Sequence, residues 1–198
     1  MQGDLRMGEA SGNWTTKVQQ HPERTVSERW QEFLAQGMVA HVGFEQDGLP
    51  YVIPTLYQYS VEQPDRIYLH GGLSSRMLQR IAEGVPVCIT VTEIDGLVYS
   101  RDAKYHSANY RSVMCFGKGR IFEDEEQKRT MFEAMTLRYF PGRTAGRDYI
   151  PAPSSHLTST GVVEVIIEQS SAKMREGGPK GPHDTDPNAL GTFGVVDL

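Results

Sequence analysis

Two Asp-Gly pairs constrain the fold of this 198-residue chain more than any other feature. Asp47-Gly48 lies between the runs "MVAHVGFE" and "LPYVIPTLYQYS", and Asp95-Gly96 lies between "VPVCITVTEI" and "LVYSR". The flanking runs are rich in β-branched and aromatic residues, and a two-residue turn between such runs joins strands that run antiparallel. "RIYLH", "RSVMCFGKGRIFE" and "GVVEVIIE" read as further strands. Pro50 and Pro54 interrupt the second strand or place it at an edge, because proline has no N–H for a ladder. Gly117 and Gly119 suggest a bulge or tight bend. About six strands with a few helices between them predict a mainly β fold, an antiparallel β-barrel with peripheral helices. A doubly wound α/β sheet fits worse, since strand–helix alternation is not sustained.

Three helices are expected. Thr25 and Glu28 have capping-box spacing, which predicts a helix from Thr25 with Trp30, Phe33 and Leu34 on one face and a stop at Gly37. A short helix follows the turn "GGLSS" and ends at Gly84. A third spans 124–140, with Met131, Phe132, Met135 and Tyr139 on a common face. Residues 141–160 read as a loop. The chain divides into an N-terminal arm (1–24), one domain (25–179) and a C-terminal tail (180–198) that is mostly loop.

The net charge of −5 gives no global reason to expect nucleic acid or an anionic membrane as partner. Cys88 and Cys115 sit in apolar runs and read as small buried hydrophobes rather than a disulfide framework. The opening "MQGDLRMGEASGN" has no apolar stretch for a signal peptide and no segment approaches a membrane span, so the expected location is the cytoplasm. His41 lies in an apolar strand and reads as a core or interface histidine. His21, His156 and His183 show no metal-ligand spacing, and no metal site is expected.

Three segments concentrate chemistry. In His70-Gly71-Gly72-Leu73-Ser74-Ser75-Arg76 a strand end, a glycine turn and a helix start come together. Glycines allow close backbone approach, serine offers a hydroxyl and Arg76 a fork of donors, which suits a phosphate. An ordinary serine cap beside a solvated arginine gives the same letters, and from this segment alone that plainer reading is favoured. Tyr105 to Ser112 gathers aromatic and hydrogen-bonding groups before an apolar strand, suited either to a flat ring system or to a polar sheet margin. Lys173 and Arg175, two apart, share a face if their strand continues, and read either as partners for one anion or as a solvated strand end.

The order and wording of "PYVIPTLY", "LHGGLSSRML", "PVCITVTEIDGLVYSRDAKYHSANYRSVMCFG" and "SAKMREGGP" resemble the FMN-binding split β-barrel family. The resemblance is to the pyridoxamine 5'-phosphate oxidase-like group, in the branch of the nitroimidazole-resistance proteins, and it runs from Gly37 to Pro179. It implies a homodimer with FMN at the subunit interface and oxidoreductase chemistry on a small, nitro-aromatic-like substrate. It places Val52, Ile53, Pro54 and Thr55 along the flavin, His70 and Gly71 beside it, and Ser75 and Arg76 on its phosphate. Asn109, Tyr110, Arg111 and Ser112 border the ring or the facing subunit, with Lys173 and Arg175 near the pocket mouth. His70 and Tyr110 are the candidate proton donors. A non-catalytic flavin-binding or sensor protein and a haem-binding split barrel are the alternatives. Two departures argue against pyridoxamine-phosphate oxidation itself. Met77 stands where those oxidases have a lysine, and "GTFGVVDL" lacks their C-terminal tryptophan and arginine, although it would bring Phe193 toward the flavin.

Overall fold

Asp47 (φ 54°) and Gly48 (φ 76°) both adopt the left-handed conformation that a two-residue hairpin turn requires. They join β1 (Ala40–Gln46) to β2 (Leu49–Thr55), with Gln46 opposite Leu49. The computed structural model describes residues 16–198, so the first part of the expected N-terminal arm, 1–15, lies outside the described residues. Ala40, Val42 and Phe44 of β1 are buried, and the residues between them face outward. β2 is the terminal strand of a sheet ordered β2-β1-β4-β5-β6-β3, so Pro50 and Pro54 leave few ladder bonds unmade.

The second Asp-Gly pair behaves otherwise. β4 (Val87–Tyr99) runs straight through it, and the register with β5 (Ser107–Ile121) shifts between Ile94 and Gly96. Asp95 is therefore a bulge residue and not part of a hairpin turn. The ladder to β5 resumes beyond it, with Leu97 opposite Ala108 and Val98 opposite Ser107, and this continued pairing outweighs the local turn preference. The chain reverses at 100–106 instead, around a 3-10 turn at Ala103–Tyr105. A seventh strand, β7 (Gly194–Asp197), pairs with β4 over Gly96–Tyr99, in a segment expected to be loop.

β3 (Arg66–Gly72) pairs with the first half of β6 (Thr160–Arg175), and β5 pairs along most of β6's length. The shift between Phe116 and Gly117 in the β5–β6 register leaves Glu168 as the extra residue. Gly117 accommodates it, since a Cβ there would lie 2.0 Å from the Ile166 carbonyl oxygen. The second half of β6 lacks β3 as a neighbour, and Thr25 and Val26 take its open edge. Thr25 bridges Lys173, and the Val26 amide donates to the Ala172 carbonyl. This recruitment overturns the expected helix start, because Thr25 is extended and makes no capping box. A 3-10 turn at Ser27–Arg29 leads into α1 (Trp30–Gln36), which buries Phe33 and Leu34 and stops at Gly37. Gly37 has φ −67° and is required by packing, since a Cβ would lie 2.1 Å from Val91 Cγ1.

Inward-facing residues of the strands, α1 and α2 (Arg76–Ala82) form one core, from Val42 and Ile89 to Val113, Val163 and Ile81. Each such aliphatic side chain removed from water contributes about 1.5–3 kcal/mol. A smaller cluster forms under α3 (Glu125–Tyr139), where Met131 and Met135 meet Val162, with Phe132 and Tyr139 packed beside them. The expected loop 141–160 contains α4 (Ser154–Ser159). Cys115 is fully buried, and burial pushes its thiol up to about 12.

On the outside of the sheet the register lines up Pro54, His41, Thr90, Met114 and Ser171 in one row. Val52, Gly43, Cys88, Phe116 and Gln169 form the next. His41 is exposed in this weakly charged outer face, so it is not a core histidine.

Candidate functional site

The end of β3 and the start of α2 form one polar patch. Ser75 is the N-cap of α2, its Oγ accepting from the Leu78 amide at 3.5 Å, while Met77, Leu78 and Ile81 anchor the helix in the core. Arg76 is thereby held outward at a fixed point. Its guanidinium lies over the Tyr51 ring of β2, 4.6 Å from the centroid, and Tyr51 stacks on Phe44 at 5.5 Å. Among the described residues no carboxylate lies within ion-pair distance of Arg76, so a planar fork of donors is parked on an aromatic ring without a charge partner. A Cβ on Gly72 would meet nothing, whereas Gly71 backs onto Leu78.

His70 sits opposite Val162, its ring edge-on to Phe132 of α3 with centroids 5.3 Å apart. Its Nδ1 is buried without a hydrogen-bond partner. Burial lowers its pKa from the ordinary 6.5, so the imidazole is neutral near pH 7. Phe132 also lines a cavity of about 450 Å³ with Thr136, Tyr149, Ile150, Pro153 and His156.

The nearby strand β2 presents Val52 and Pro54 to the outside, Val52 being 65% exposed, and turns Ile53 and Thr55 to the other face.

A second patch lies where β5 and β6 pair. Tyr110 is opposite Arg175, Arg111 opposite Met174, and Ser112 opposite Lys173. Here each polar side chain except Tyr110 already has a protein partner. Arg111 grips the Asp95 carboxylate with Nε at 3.0 Å and Nη2 at 2.8 Å, and also donates to Gln36. Arg175 donates to Asn109 and to the Gly177 and Gly178 carbonyls, and Ser112 shares a hydrogen bond with Thr92 at 3.1 Å. Lys173 Nζ donates to the Gln20 carbonyl at 3.0 Å. Lys173 and Arg175 share a face, as expected, but their bonds go to the chain itself.

The register separates the patches. His70 lies beside Val162 and Lys173 stands eleven residues further along β6 (173 − 162). At about 3.3 Å per residue that is roughly 35 Å of strand. One chain therefore does not bring all the expected flavin contacts around a single ligand.

Residues 26–174 match the family model for pyridoxamine 5'-phosphate oxidase. The chain belongs to that family. No curated protein matches it. The FAD and heme binding protein of Mycobacterium smegmatis is 31% identical, with a TM-score of 0.76 over 88% of this chain and 84% of that one. The flavocytochrome Anf3 of Azotobacter vinelandii is 27% identical, with a TM-score of 0.80 over 94% and 85%. A candidate 5-nitroimidazole antibiotic resistance protein of Bacteroides thetaiotaomicron is 26% identical, with a TM-score of 0.59 over 85% and 84%.

Within this oxidase family frame, Met77 is a departure with a structural cause: its side chain is only 4% exposed and packs in the core. Three contributors were not expected from sequence. Tyr51 supports Arg76, Phe132 sets the plane of His70, and Asp95 orients Arg111. Tyr51 had a signal, since it alternates with Val52 in a β run, but its contact with a helix further along the chain had none. Phe193 packs against Arg101, 5.2 Å from its guanidinium, and not against either patch. No group of three metal-ligating side chains occurs among the described residues, and no described helix is long and apolar enough to cross a membrane.

Proposed function

We propose that this chain binds a flavin and passes electrons between it and a small flat substrate, as a dimer in which each flavin touches both copies. The observation that carries the reading is Arg76, held on Tyr51 beside Ser75 with no carboxylate of its own. A phosphate is the partner that such a fork and hydroxyl suit. α2 has only seven residues, so the side chains rather than a helix dipole would carry the binding. Flavin, when bound, supplies the one- or two-electron chemistry; the protein binds it, orients it and excludes water. Val52 and Pro54 would lie along its ring edge. His70 would be the neutral donor or acceptor next to it, its unpartnered Nδ1 free to take or give a proton.

The dimer follows from the separation of the patches. Pairing two copies through the weakly charged outer face would bring Asn109, Tyr110 and Arg111 of one copy to the flavin held by the other. Ser75 and Arg76 suit the phosphate next to the ribityl chain, which FMN and FAD share. FMN is the cofactor of the family resemblance, and FAD is the one named for the 31% identical relative.

A second reading adds haem, because two relatives are a FAD and heme binding protein and a flavocytochrome. His70 is the residue we would assign to the iron, being neutral and without a competing hydrogen bond at Nδ1.

The test is to purify the full chain, record its absorbance spectrum, and identify any released chromophore by mass. A flavin spectrum supports the reading, and the released mass separates FMN from FAD. A Soret band that is lost in His70→Ala supports the second. A colourless protein that binds neither added flavin nor added haem overturns both.

A further inference from the structure

The C-terminal segment is recognised by the barrel through a dedicated set of contacts. Ser100-Arg101-Asp102, directly after β4, supplies one side of them. Asp184, only 2% exposed, accepts from Ser100 Oγ at 2.9 Å, the Arg101 amide at 2.7 Å and the Gly181 amide at 2.6 Å. Asp102 accepts from the His183 amide at 3.0 Å and pairs with His183 Nδ1 at 2.6 Å. The Arg101 guanidinium donates to the carbonyls of Asp186 and Ala189. A Cβ on Gly181 would lie within 2.5 Å of Asp102 Oδ2 and 2.6 Å of Ser100 Oγ, so only glycine fits. Beyond these contacts β7 pairs with β4, and the Leu198 amide donates to the Asp95 carbonyl at 3.1 Å.

The two carboxylates differ in exposure. Asp184 is buried among donors, whereas the His183 side chain is 61% exposed and its pairing with Asp102 is open to solvent. We propose that residues 181–197 form a pH-sensitive strap, with Asp184 as its fixed anchor and the His183–Asp102 pair as a latch that loosens toward alkaline pH. The charged groups facing His183 are Asp102 from the barrel and Asp184 and Asp186 from the strap, and Arg101 lies against Asp184.

The sign follows from linkage. The hydrogen bond to Asp102 holds His183 above its ordinary 6.5, and the same contact holds Asp102 below its ordinary 3.8. The histidine's contribution is complete below 6.5 and fades as pH rises through its raised value. The carboxylate's contribution is present above 3.8 and fades as pH falls through its lowered value. The latch is therefore firmest between those two ordinary values. Because Asp95 also holds Arg111, loosening the strap removes one support of the second patch.

Amide exchange of Val195 and Val196 in the full chain, referenced to Val42 and Val52 of the β1–β2 hairpin and corrected for intrinsic rates, tests this without any cofactor. Relative protection should fall roughly two- to five-fold between about pH 6 and about pH 8, the size expected for an exposed ion pair. His183→Gln should abolish that pH dependence and leave protection at its alkaline value. Asp184→Ala should lower protection roughly tenfold or more at both pH values, with the hairpin reference unchanged. Protection that does not vary with pH, or a pH dependence that survives His183→Gln, overturns the latch. Full protection in Asp184→Ala overturns the anchor.

Discussion

The two polar patches contain similar residues and are in opposite conditions. At the β3–α2 end Arg76 has no carboxylate and His70 Nδ1 has no partner. At the β5–β6 end Arg111 is doubly bonded to Asp95, Arg175 is bonded to Asn109 and two carbonyls, and Lys173 caps the Gln20 carbonyl. Unmade hydrogen bonds of charged groups cost far more than made ones return, so they persist where a ligand completes them. The difference teaches that residue type does not identify a ligand site. The β3–α2 end is ready for a ligand, and the β5–β6 end is a rigid wall that any ligand meets already formed.

The largest effect should come from Arg76→Ala. It removes the unpaired fork and nothing that holds the fold, so flavin affinity should fall by about 2–3 kcal/mol, roughly 30- to 150-fold in Kd. The thermal midpoint of the flavin-free protein should move by less than about 1 °C, because an exposed substitution of this kind is close to neutral. Titration calorimetry with FMN and FAD, beside a melting curve, checks both. An Arg76→Ala protein that binds flavin normally breaks the comparison at its first term.

Arg111→Met should do the reverse. It strands Asp95 and loosens Gln36, and the pair is half-exposed, so the cost is about 1–2 kcal/mol of stability, read as a lower urea midpoint at unchanged slope. Flavin affinity should fall less than in Arg76→Ala. Full stability combined with lost flavin binding would show that the second patch also awaits a ligand.

How far each feature was legible in sequence follows the range of the forces behind it. Asp47-Gly48 could be read because both left-handed residues and their flanking strands are local. The same dipeptide at 95–96 misled, because what decides there is β5 continuing alongside and β7 arriving from the far end of the chain. Thr25 failed as a helix cap because the open edge of β6, far away in sequence, claimed it. In the site, Ser75 and Arg76 were legible as a strand–turn–helix junction. The separation of that junction from Arg111 and Arg175 was not, since it is a matter of register along β6, and neither was the occupancy of those arginines by Asp95 and Asn109.

The smallest effect sharpens the comparison most, because it concerns an unmade bond within the patch that is ready for a ligand. His70 is held below the ordinary histidine pKa of 6.5 by burial alone, with no charge partner contributing. The folded state thus binds its proton less readily than the unfolded chain. This gives a stability contribution that is present above 6.5 and lost as pH falls through the lowered folded value. In the flavin-free protein, stability should decline as pH drops below 6.5, and His70→Phe, which packs against Phe132 without a titratable ring, should flatten that decline. Denaturation midpoints measured at several pH values in both proteins give the difference. The exchange latch of the tail runs the other way, weakening at high pH, so the two histidines are separable by sign alone. A decline that is identical in His70→Phe would mean that some other group carries it, and that the bare Nδ1 is satisfied in solution.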